Sequence, residues 1–400
     1  MPMDFCFDEF PDRYGTYSYK WDCNKLEFPQ RPDATPMWVA DMDFPCLPGI
    51  VKAITERAAH PIYGYSAMPA QGAELVKAWQ KKRNDWDIDP AWVTYTNGVV
   101  TALSMAVRAF AAEGEGVILM SPVYYPFKNN IVHNHRALRD CPMQFDGERW
   151  VVNFALLEKL AAEPSTKLLL LCSPHNPLCR VFTREELLQI AEICLKHNVK
   201  IFSDEIHSDL IFQGHKHIPI ASLSPEIADI TITATAPSKT FNIAGLQMSA
   251  IITSNPELRE QFTAALGFDC IASLFGVVGF MAAYGDPDAE KYVDQLTAYL
   301  WGNYEVLDRT LKASAPGIRV LRPEATYLMW LDCRALGMDD EAIERFFVEE
   351  AGIGIEMGNL FGDNGTGYVR MNIGCPRSVI ESCAQRIAQA YHAHGFPTEF

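Results

Sequence analysis

The chain has 400 residues, 48% of them hydrophobic and 21% charged, which is typical of a globular protein of two domains and excludes a disordered chain. Its 34 basic and 50 acidic residues give a net charge of −16, which argues against nucleic acid or an anionic membrane as the main partner, because both require a basic face. The eleven cysteines include no C-x-x-C pair and no signal peptide is recognisable, so we predict a cytoplasmic protein with reduced thiols. No apolar run reaches the ~18 residues of a membrane span, and no histidine lies in a metal-binding motif, so we expect neither a membrane partner nor a metal.

The amino-terminal part of the chain begins irregularly and then becomes helical. Residues 1–45 are rich in proline, aspartate and aromatic side chains, which predicts an irregular arm. Helices are predicted over 47–59 and 73–83, joined by the turn-rich stretch PIYGYSAMPAQG.

From Trp92 onwards, short apolar runs alternate with amphipathic helical patterns. Thr183 and Glu186 have the spacing of a capping box at the start of one such helix. The predicted strands are WVTYT, GVILM, KLLLLCS, KIFSDEI, DITITAT and MSAIIT. Because continuously apolar strands that alternate with helices are typical of sheets covered on both faces, we predict an α/β fold with a mostly parallel, doubly wound sheet.

The pattern changes again after residue 287. Long helical stretches follow, and the runs ATYLMWLDC and YVRMNIG predict two further strands. We therefore predict a large domain over 46–287 and a smaller α+β domain formed by 288–400 together with the arm 1–45.

Polar residues follow several of the predicted strands. In sheets of this kind ligands bind beyond the carboxyl ends of the strands, so the candidate site residues are Asn97, Gly98, Tyr124, Asn176, Asp204, His207, Ser238 and Lys239. Taken singly, three of them have ordinary alternatives: Asp204 suits a salt bridge or a helix cap, Asn176 a turn, and Tyr124 the core.

Lys239 indicates which chemistry this set of residues can perform. The stretch TATAPSKTFNIAG places it at the mouth of a buried strand with no acid beside it, where a desolvated amine loses proton affinity and becomes a nucleophile toward carbonyls. Gly98 and Val99 open a helix directly after a strand, and such a helix start suits a phosphate. An acid for a pyridinium, an amide, a stacking ring, a phosphate cradle and a Schiff-base lysine together indicate pyridoxal phosphate as the cofactor.

The stretches WVADMDF, YGYS, SPVYYPF, SPHNP, SDEIHSDL, APSKTFNIAGLQMS and YVRMNIGCPR are spread over nearly the whole chain. With them the sequence resembles the fold-type-I pyridoxal-phosphate enzymes of the aminotransferase class I/II family. Within that family it is most similar to the cystathionine β-lyase group of cysteine-S-conjugate C–S lyases. The resemblance implies cleavage of cystathionine or related L-cysteine S-conjugates to a thiol, pyruvate and ammonia.

The resemblance also implies a role for each site residue. Lys239 would form the Schiff base with the cofactor, and Asp204 would pair with its ring nitrogen. The other implied roles are ring stacking for Tyr124, the ring hydroxyl oxygen and the substrate for Asn176, the phosphate for Gly98, Val99 and Ser238, and the substrate α-carboxylate for Arg370. Tyr65 would reach the phosphate of the neighbouring subunit, which implies a homodimer with a shared site; Tyr63 competes for this role.

Two positions depart from the transaminase pattern. Gln247 stands where transaminases commonly carry a phosphate-binding arginine, and His207 where they commonly carry a tyrosine. We expect the missing arginine to weaken phosphate anchoring about tenfold, and His207 to bond the ring hydroxyl oxygen and to titrate near neutrality. Both departures favour the lyase over an aminotransferase, which is the main alternative. A protein-binding regulator with residual lyase activity is the second.

Overall fold

The computed structural model describes residues 5–267 and 272–398. The α-helices are, in chain order, α1 Tyr19–Asp22, α2 Asn24–Glu27, α3 Pro48–Ala58, α4 Gln71–Asn84, α5 Val99–Phe110, α6 Pro126–His133, α7 Phe154–Ala161, α8 Arg184–Lys196, α9 Pro225–Asp229, α10 Pro256–Leu266, α11 Leu274–Gly285, α12 Ala289–Ser314, α13 Asp340–Arg345 and α14 Arg377–Ala393. The strands are β1 Thr35–Pro36, β2 Val93–Thr96, β3 Gly116–Leu119, β4 Ala137–Asp140, β5 Gln144–Phe145, β6 Trp150–Val151, β7 Thr166–Cys172, β8 Lys200–Asp204, β9 Thr231–Thr235, β10 Ser249–Ile252, β11 Arg319–Val320, β12 Leu328–Asp332, β13 Ile353–Gly354, β14 Glu356–Met357 and β15 Tyr368–Asn372.

Seven strands form one sheet in the order β2-β10-β9-β8-β7-β3-β4. The strands from β9 to β4 pair in parallel, whereas β10 runs antiparallel to both β9 and β2. The predicted mostly parallel α/β sheet is confirmed, with the run MSAIIT as its antiparallel member. To pair in parallel with β9, β10 would need a long connection, usually one that contains a helix. The loop 236–248 contains only the short 3₁₀ turn Ala244–Leu246, so β10 follows β9 as an antiparallel neighbour.

Helices cover both faces of this sheet, as the continuously apolar strands predict. Side chains that alternate along β7 and β8 point to opposite sides, where they meet α5 and α10 on one face and α7 and α8 on the other. The capping box of Thr183 and Glu186 opens α8 as predicted. Burial on both faces fixes where each strand ends, and therefore where the polar residues that follow it must lie.

The sequence did not predict the edge strand β4 or the helices α10 and α11. β4 reads ALRD and is half-exposed, so it lacks the apolar run that identifies a buried strand. α11 is apolar on all sides and contains three glycines, so it shows no helical periodicity.

A second, antiparallel sheet follows residue 287, with the order β11-β12-β15-β14. The long helices α12 and α14 pack against each other beside it. These elements agree with a smaller α+β unit, and the domain boundaries at 46 and 288 stay a prediction. In the described part of the chain, no helix is both long enough and apolar enough to cross a bilayer.

The arm is more regular than its composition predicts. It contains α1, α2 and β1, and β1 pairs in parallel with β13. The buried amine of Lys20 lies 2.7 Å from Asp43 Oδ2, and Arg13 pairs with both Asp41 and Asp43. These ion pairs hold the segment 38–44 between the two sheets, next to the candidate site.

Candidate active site

A cavity of about 430 Å³ lies at the carboxyl ends of β2, β7, β8 and β9. Nine of the eleven predicted site residues line it: Asn97, Gly98, Val99, Tyr124, Asn176, Asp204, His207, Ser238 and Lys239. Arg370 does not line the cavity but bonds to Asn176, which does, and Tyr65 lies outside it. Residues that are far apart in the sequence therefore lie together at the carboxyl ends of the strands, where ligands bind in sheets of this kind.

Lys239 follows β9 and projects from the loop 236–248. Its Nζ donates a hydrogen bond to the carbonyl oxygen of Ala40 at 2.7 Å. Desolvation lowers the pKa of its amine to about 8, against the opposing influence of Asp41. An amine with this pKa is partly neutral near pH 8 and can act as a nucleophile or a base.

We expect the reactivity of Lys239 in the cofactor-free protein to rise with pH through about 8, because only the neutral amine reacts. Trace acetylation between pH 6 and 10, followed by peptide mapping, measures this titration, with the exposed Lys52 as the internal reference. A Lys239 titration midpoint near the ordinary lysine value of ~10.4 would contradict the assignment.

Asp204 ends β8 and is 7% exposed. Its Oδ1 accepts the N–H of Ile206 at 3.1 Å, and no basic side chain among the described residues forms an ion pair with it. Burial raises the pKa of its carboxyl to about 7, although the Ile206 N–H and the charge of Lys239 act in the opposite direction. A cationic ligand atom placed against this carboxylate would be held strongly, since it supplies the missing charge partner.

His207 is buried at the same edge of the sheet, and its titration differs from the expectation. Burial lowers the pKa of its imidazole to about 3, with the charges of Lys239 and Arg370 acting in the same direction. The expectation that it titrates near neutrality is therefore wrong, and the ring stays neutral around pH 7. Its Nδ1 has no hydrogen-bond partner among the described residues, which leaves it available to a ligand.

Tyr124 and Asn176 lie on two loops that are joined to each other. The N–H of Tyr124 donates to the carbonyl oxygen of Asn176 at 3.2 Å. Burial raises the pKa of the Tyr124 phenol to about 12, so the ring stays uncharged. The Oδ1 of Asn176 accepts from Nη1 of Arg370 at 3.0 Å, which connects the cavity to the smaller sheet.

The amino terminus of α5 opens at the cavity and has no side-chain cap. Gly98 precedes it with a φ of 90°, which glycine adopts without strain. The N–H of Gly98 donates to the carbonyl oxygen of Thr96 at 2.9 Å, and the predicted contact of Gly98 with a phosphate stays a prediction. The first N–H groups of the helix, on Val99 and Val100, have no intrahelical acceptor, and both residues line the cavity. Val100 was not predicted as a site residue, although it directly follows Val99.

Arg370 lies on β15 and is 2% exposed. Its Nη2 donates to the carbonyl oxygen of Trp38 at 2.9 Å and to Glu356, its cross-strand neighbour on β14. Its Nε has no partner among the described residues, so the guanidinium keeps a donor for a substrate carboxylate. Glu356 and Trp38 were not predicted as site residues, because only strand pairing and the path of the arm bring them to Arg370.

The segment 38–44, which reads WVADMDF, reaches the site through its backbone. The carbonyl oxygen of Ala40 accepts from Lys239, and that of Trp38 accepts from Arg370. The motif therefore positions both predicted cationic side chains, a role that its side chains alone do not indicate.

Tyr65 does not reach the cavity of its own chain. It is 95% exposed, whereas the hydroxyl of Tyr63 donates to the carbonyl oxygen of Ala58 at 2.6 Å and its ring lies 5.9 Å from that of Phe275. Of the two tyrosines, Tyr65 is thus the one that is not engaged within its own chain.

The groups that line the cavity suit pyridoxal phosphate. A buried carboxylate without a cationic partner, an amine with a lowered pKa and an uncapped helix start provide for its ring nitrogen, aldehyde and phosphate. Apart from Lys239, no lysine or arginine of the described residues lines this cavity. Gln247 does line it, in place of the arginine that transaminases commonly carry.

The fold and the strand-end lysine and aspartate define a pyridoxal-phosphate enzyme of fold type I. The sequence model of the family described as Aminotransferase class I and II matches residues 35–387, and the chain belongs to this family. The family prediction is confirmed.

Individual relatives narrow the comparison within this family. The chain is 40% identical to "Cystathionine beta-lyase PatB" of Bacillus subtilis, over 96% of this chain and 99% of that protein. It superimposes on cystalysin from Treponema denticola, whose crystal structure contains pyridoxal 5'-phosphate, with a TM-score of 0.94, 37% identity and coverage of 98% and 100% of the two chains. The PLP-bound C–S lyase of Staphylococcus hominis gives a TM-score of 0.89 and 31% identity, with coverage of 97% and 98%.

Proposed function

We propose that the protein is a pyridoxal-phosphate-dependent carbon–sulfur β-lyase. It cleaves cystathionine or related L-cysteine S-conjugates to a thiol, pyruvate and ammonia, with the uptake of one water. The observation that carries the proposal is one cavity that combines the Lys239 amine, with a pKa of about 8, and the buried carboxylate of Asp204. The relatives named as cystathionine β-lyase and as C–S lyase support this chemistry over transamination.

Each wall of the cavity would hold one part of the cofactor. Lys239 would attach it and Asp204 would hold its ring nitrogen. The remaining contacts would come from Tyr124 at the ring face, Asn176 and His207 at the ring hydroxyl oxygen, and Gly98, Val99, Val100 and Ser238 at the phosphate. When bound, pyridoxal phosphate supplies an electron sink for the negative charge that develops at Cα of the amino acid.

The chain's own residues orient the substrate and move its proton. Arg370 binds the α-carboxylate, and its contacts to Asn176 and the Trp38 carbonyl fix the guanidinium in place. Nζ of Lys239 accepts the proton from Cα, a positioned proton transfer that is typically worth ~10²–10⁴-fold in rate. His207 keeps its neutral ring throughout, so it contributes a hydrogen bond without adding charge to the site.

The lyase is expected to release thiol and pyruvate from cystathionine in equal amounts with no keto acid present. This follows because elimination consumes only substrate and water, whereas transamination needs a keto-acid acceptor to turn over. Thiol detection coupled to a pyruvate assay, run with and without 2-oxoglutarate, measures the difference. Turnover that requires the acceptor and yields no thiol would contradict the lyase and establish the aminotransferase alternative.

We propose in addition that two copies of the chain form a dimer with a shared active site. The support is an exposed apolar stretch that includes Ile62, Tyr63 and Tyr65, which are 66%, 59% and 95% exposed. Such a stretch is costly to leave in water and is typical of an interface. Tyr65 would then complete the phosphate site of the neighbouring subunit, where no arginine of the described residues lines the cavity.

Mixing a Tyr65→Ala variant with a Lys239→Ala variant is expected to restore about a quarter of wild-type thiol release, because half of the dimers are hybrids with one intact site each. The activity of the subunit-exchanged mixture is compared with that of each variant alone. A Tyr63→Phe variant is the matched control and should remain active by itself, because the Tyr63 hydroxyl bonds within its own chain. A mixture no more active than the sum of its parents would contradict the shared site.

We also propose a cytoplasmic location. All ten cysteines in the part of the chain that the structure describes are free thiols, as expected in a reducing compartment.

A further inference from the structure

A second cavity of about 650 Å³ adjoins the candidate active site. Glu356 and Trp38 line it, and both accept hydrogen bonds from Arg370. Tyr125 lines it as well, and its ring centroid lies 5.0 Å from that of Tyr124 in the first cavity. Arg370 therefore connects the walls of the two cavities, through Asn176 on one side and through Glu356 and Trp38 on the other.

Charge of one sign dominates the wall of this second cavity. No lysine or arginine among the described residues lines it, whereas five carboxylates do: Glu27, Asp340, Glu341, Glu344 and Glu356. Burial raises the pKa of the Tyr125 phenol, and the carboxylates of Glu356 and Glu27 act in the same direction, against the opposing charge of Arg370. The field of the five carboxylates attracts a cationic occupant and repels an anionic one.

Aromatic rings complete the wall, and one of them indicates a ligand independently of the carboxylates. The ring of Trp38 lies 5.1 Å from that of Tyr19 and 5.9 Å from that of Phe28. Trp38 is 4% exposed, and its indole N–H has no hydrogen-bond partner among the described residues. An indole N–H can only donate, so this buried group leaves a donor at the cavity wall for an acceptor on a bound molecule. The aromatic faces themselves favour an ammonium group.

We propose that the second cavity binds the S-substituent of the substrate and selects substituents that carry an ammonium group. The inference rests on the lyase function proposed above and narrows its substrate class to L-cysteine S-conjugates whose substituent carries an ammonium group, as that of cystathionine does. Substituents that carry a negative charge and no ammonium group are repelled by the same carboxylates.

Binding without chemistry provides the first test. L-lysine, L-norleucine and L-2-aminoadipate have similar side-chain lengths, carry positive, zero and negative terminal charge, and have no leaving group at Cβ. Isothermal titration of the holoenzyme is expected to show L-lysine binding about tenfold more tightly than L-norleucine, with L-2-aminoadipate weakest. Equal affinities, or a preference for L-2-aminoadipate, would overturn the proposal.

Turnover provides the second test, with S-(2-aminoethyl)-, S-(2-hydroxyethyl)- and S-(carboxymethyl)-L-cysteine as substrates. The kcat/KM for thiol release should follow the same order, and high salt should reduce the spread because it screens the exposed carboxylates. The absence of thiol release from all three would overturn the proposed lyase. The relative affinities for L-lysine, L-norleucine and L-2-aminoadipate would still test the charge preference of the second cavity.

A variant that removes carboxylates from the rim of the second cavity distinguishes their effect from that of the protein's overall net charge. The triple variant Glu27→Gln, Glu341→Gln and Glu344→Gln should lose about tenfold of its preference for the aminoethyl over the hydroxyethyl substrate. The matched control changes three exposed glutamates that line neither cavity: Glu56, Glu192 and Glu260. A preference that survives in the rim variant, or that falls equally in the control, would overturn the proposal.

Discussion

Replacing Lys239 by alanine is expected to lower kcat for thiol release by about 10³-fold or more, because the variant loses the amine that attaches the cofactor and accepts the Cα proton. The fold should survive the change. The carbonyl oxygen of Ala40, which loses the Lys239 donor, still accepts from the hydroxyl of Tyr327 at 3.0 Å. Steady-state kinetics together with a thermal unfolding curve separate the lost chemistry from lost stability.

A Lys239→Arg variant is the matched control for this experiment. It keeps a cation at the cavity, but a guanidinium does not release its proton near neutral pH and so cannot act as the base. We therefore expect it to be as inactive as the alanine variant. Added methylamine should partly restore the alanine variant, whose cavity has room for it, and should leave the arginine variant inactive. An alanine variant with wild-type turnover would contradict the mechanism.

Replacing Arg370 by lysine is expected to raise KM and to lower kcat/KM about 10²-fold, since a hydrogen bond to a charged group is worth ~1.5–3 kcal/mol and each ~1.4 kcal/mol is tenfold. Lysine keeps the positive charge beside Glu356 but loses the planar fork that binds a carboxylate through two hydrogen bonds. The conservative change is preferable to alanine, because alanine would leave the buried Glu356 unpaired and destabilise the fold.

A pair of ligands shows whether Arg370 acts on the α-carboxylate. L-norleucine and n-pentylamine share the same amine and side chain, and only the first has a carboxylate. The Arg370→Lys change should weaken the binding of L-norleucine to the holoenzyme and leave that of n-pentylamine unchanged, as measured by titration calorimetry. Equal losses for both ligands would show that Arg370 serves the shape of the site and not the carboxylate.

Much of the candidate site could be predicted from the sequence because each residue follows a recognisable buried strand. Continuous apolar runs fix where β7, β8 and β9 end, and parallel strands place those ends at one edge of the sheet. Asn176, Asp204 and Lys239 thus come together even though no local pattern connects them. Their chemistry, an amide, an acid and an amine, then restricts the cofactor.

The remaining features depend on contacts that no periodicity encodes. The pairing of Glu356 with Arg370 needs the register of β14 and β15, and the role of Ala40 needs the path of the arm between the sheets. The low pKa of His207 arises from complete burial beside two cations, which its sequence neighbours do not reveal. Likewise, the N–H of Gly98 is used within its own turn, which is a matter of one backbone angle.

The most direct test of the central claim is to reduce the pyridoxal-phosphate-loaded protein with borohydride and to map the labelled peptide. The account predicts one pyridoxyl group per chain, on Lys239, and no incorporation into the Lys239→Ala variant. A label on a different lysine, or a protein that takes up no cofactor, would contradict it.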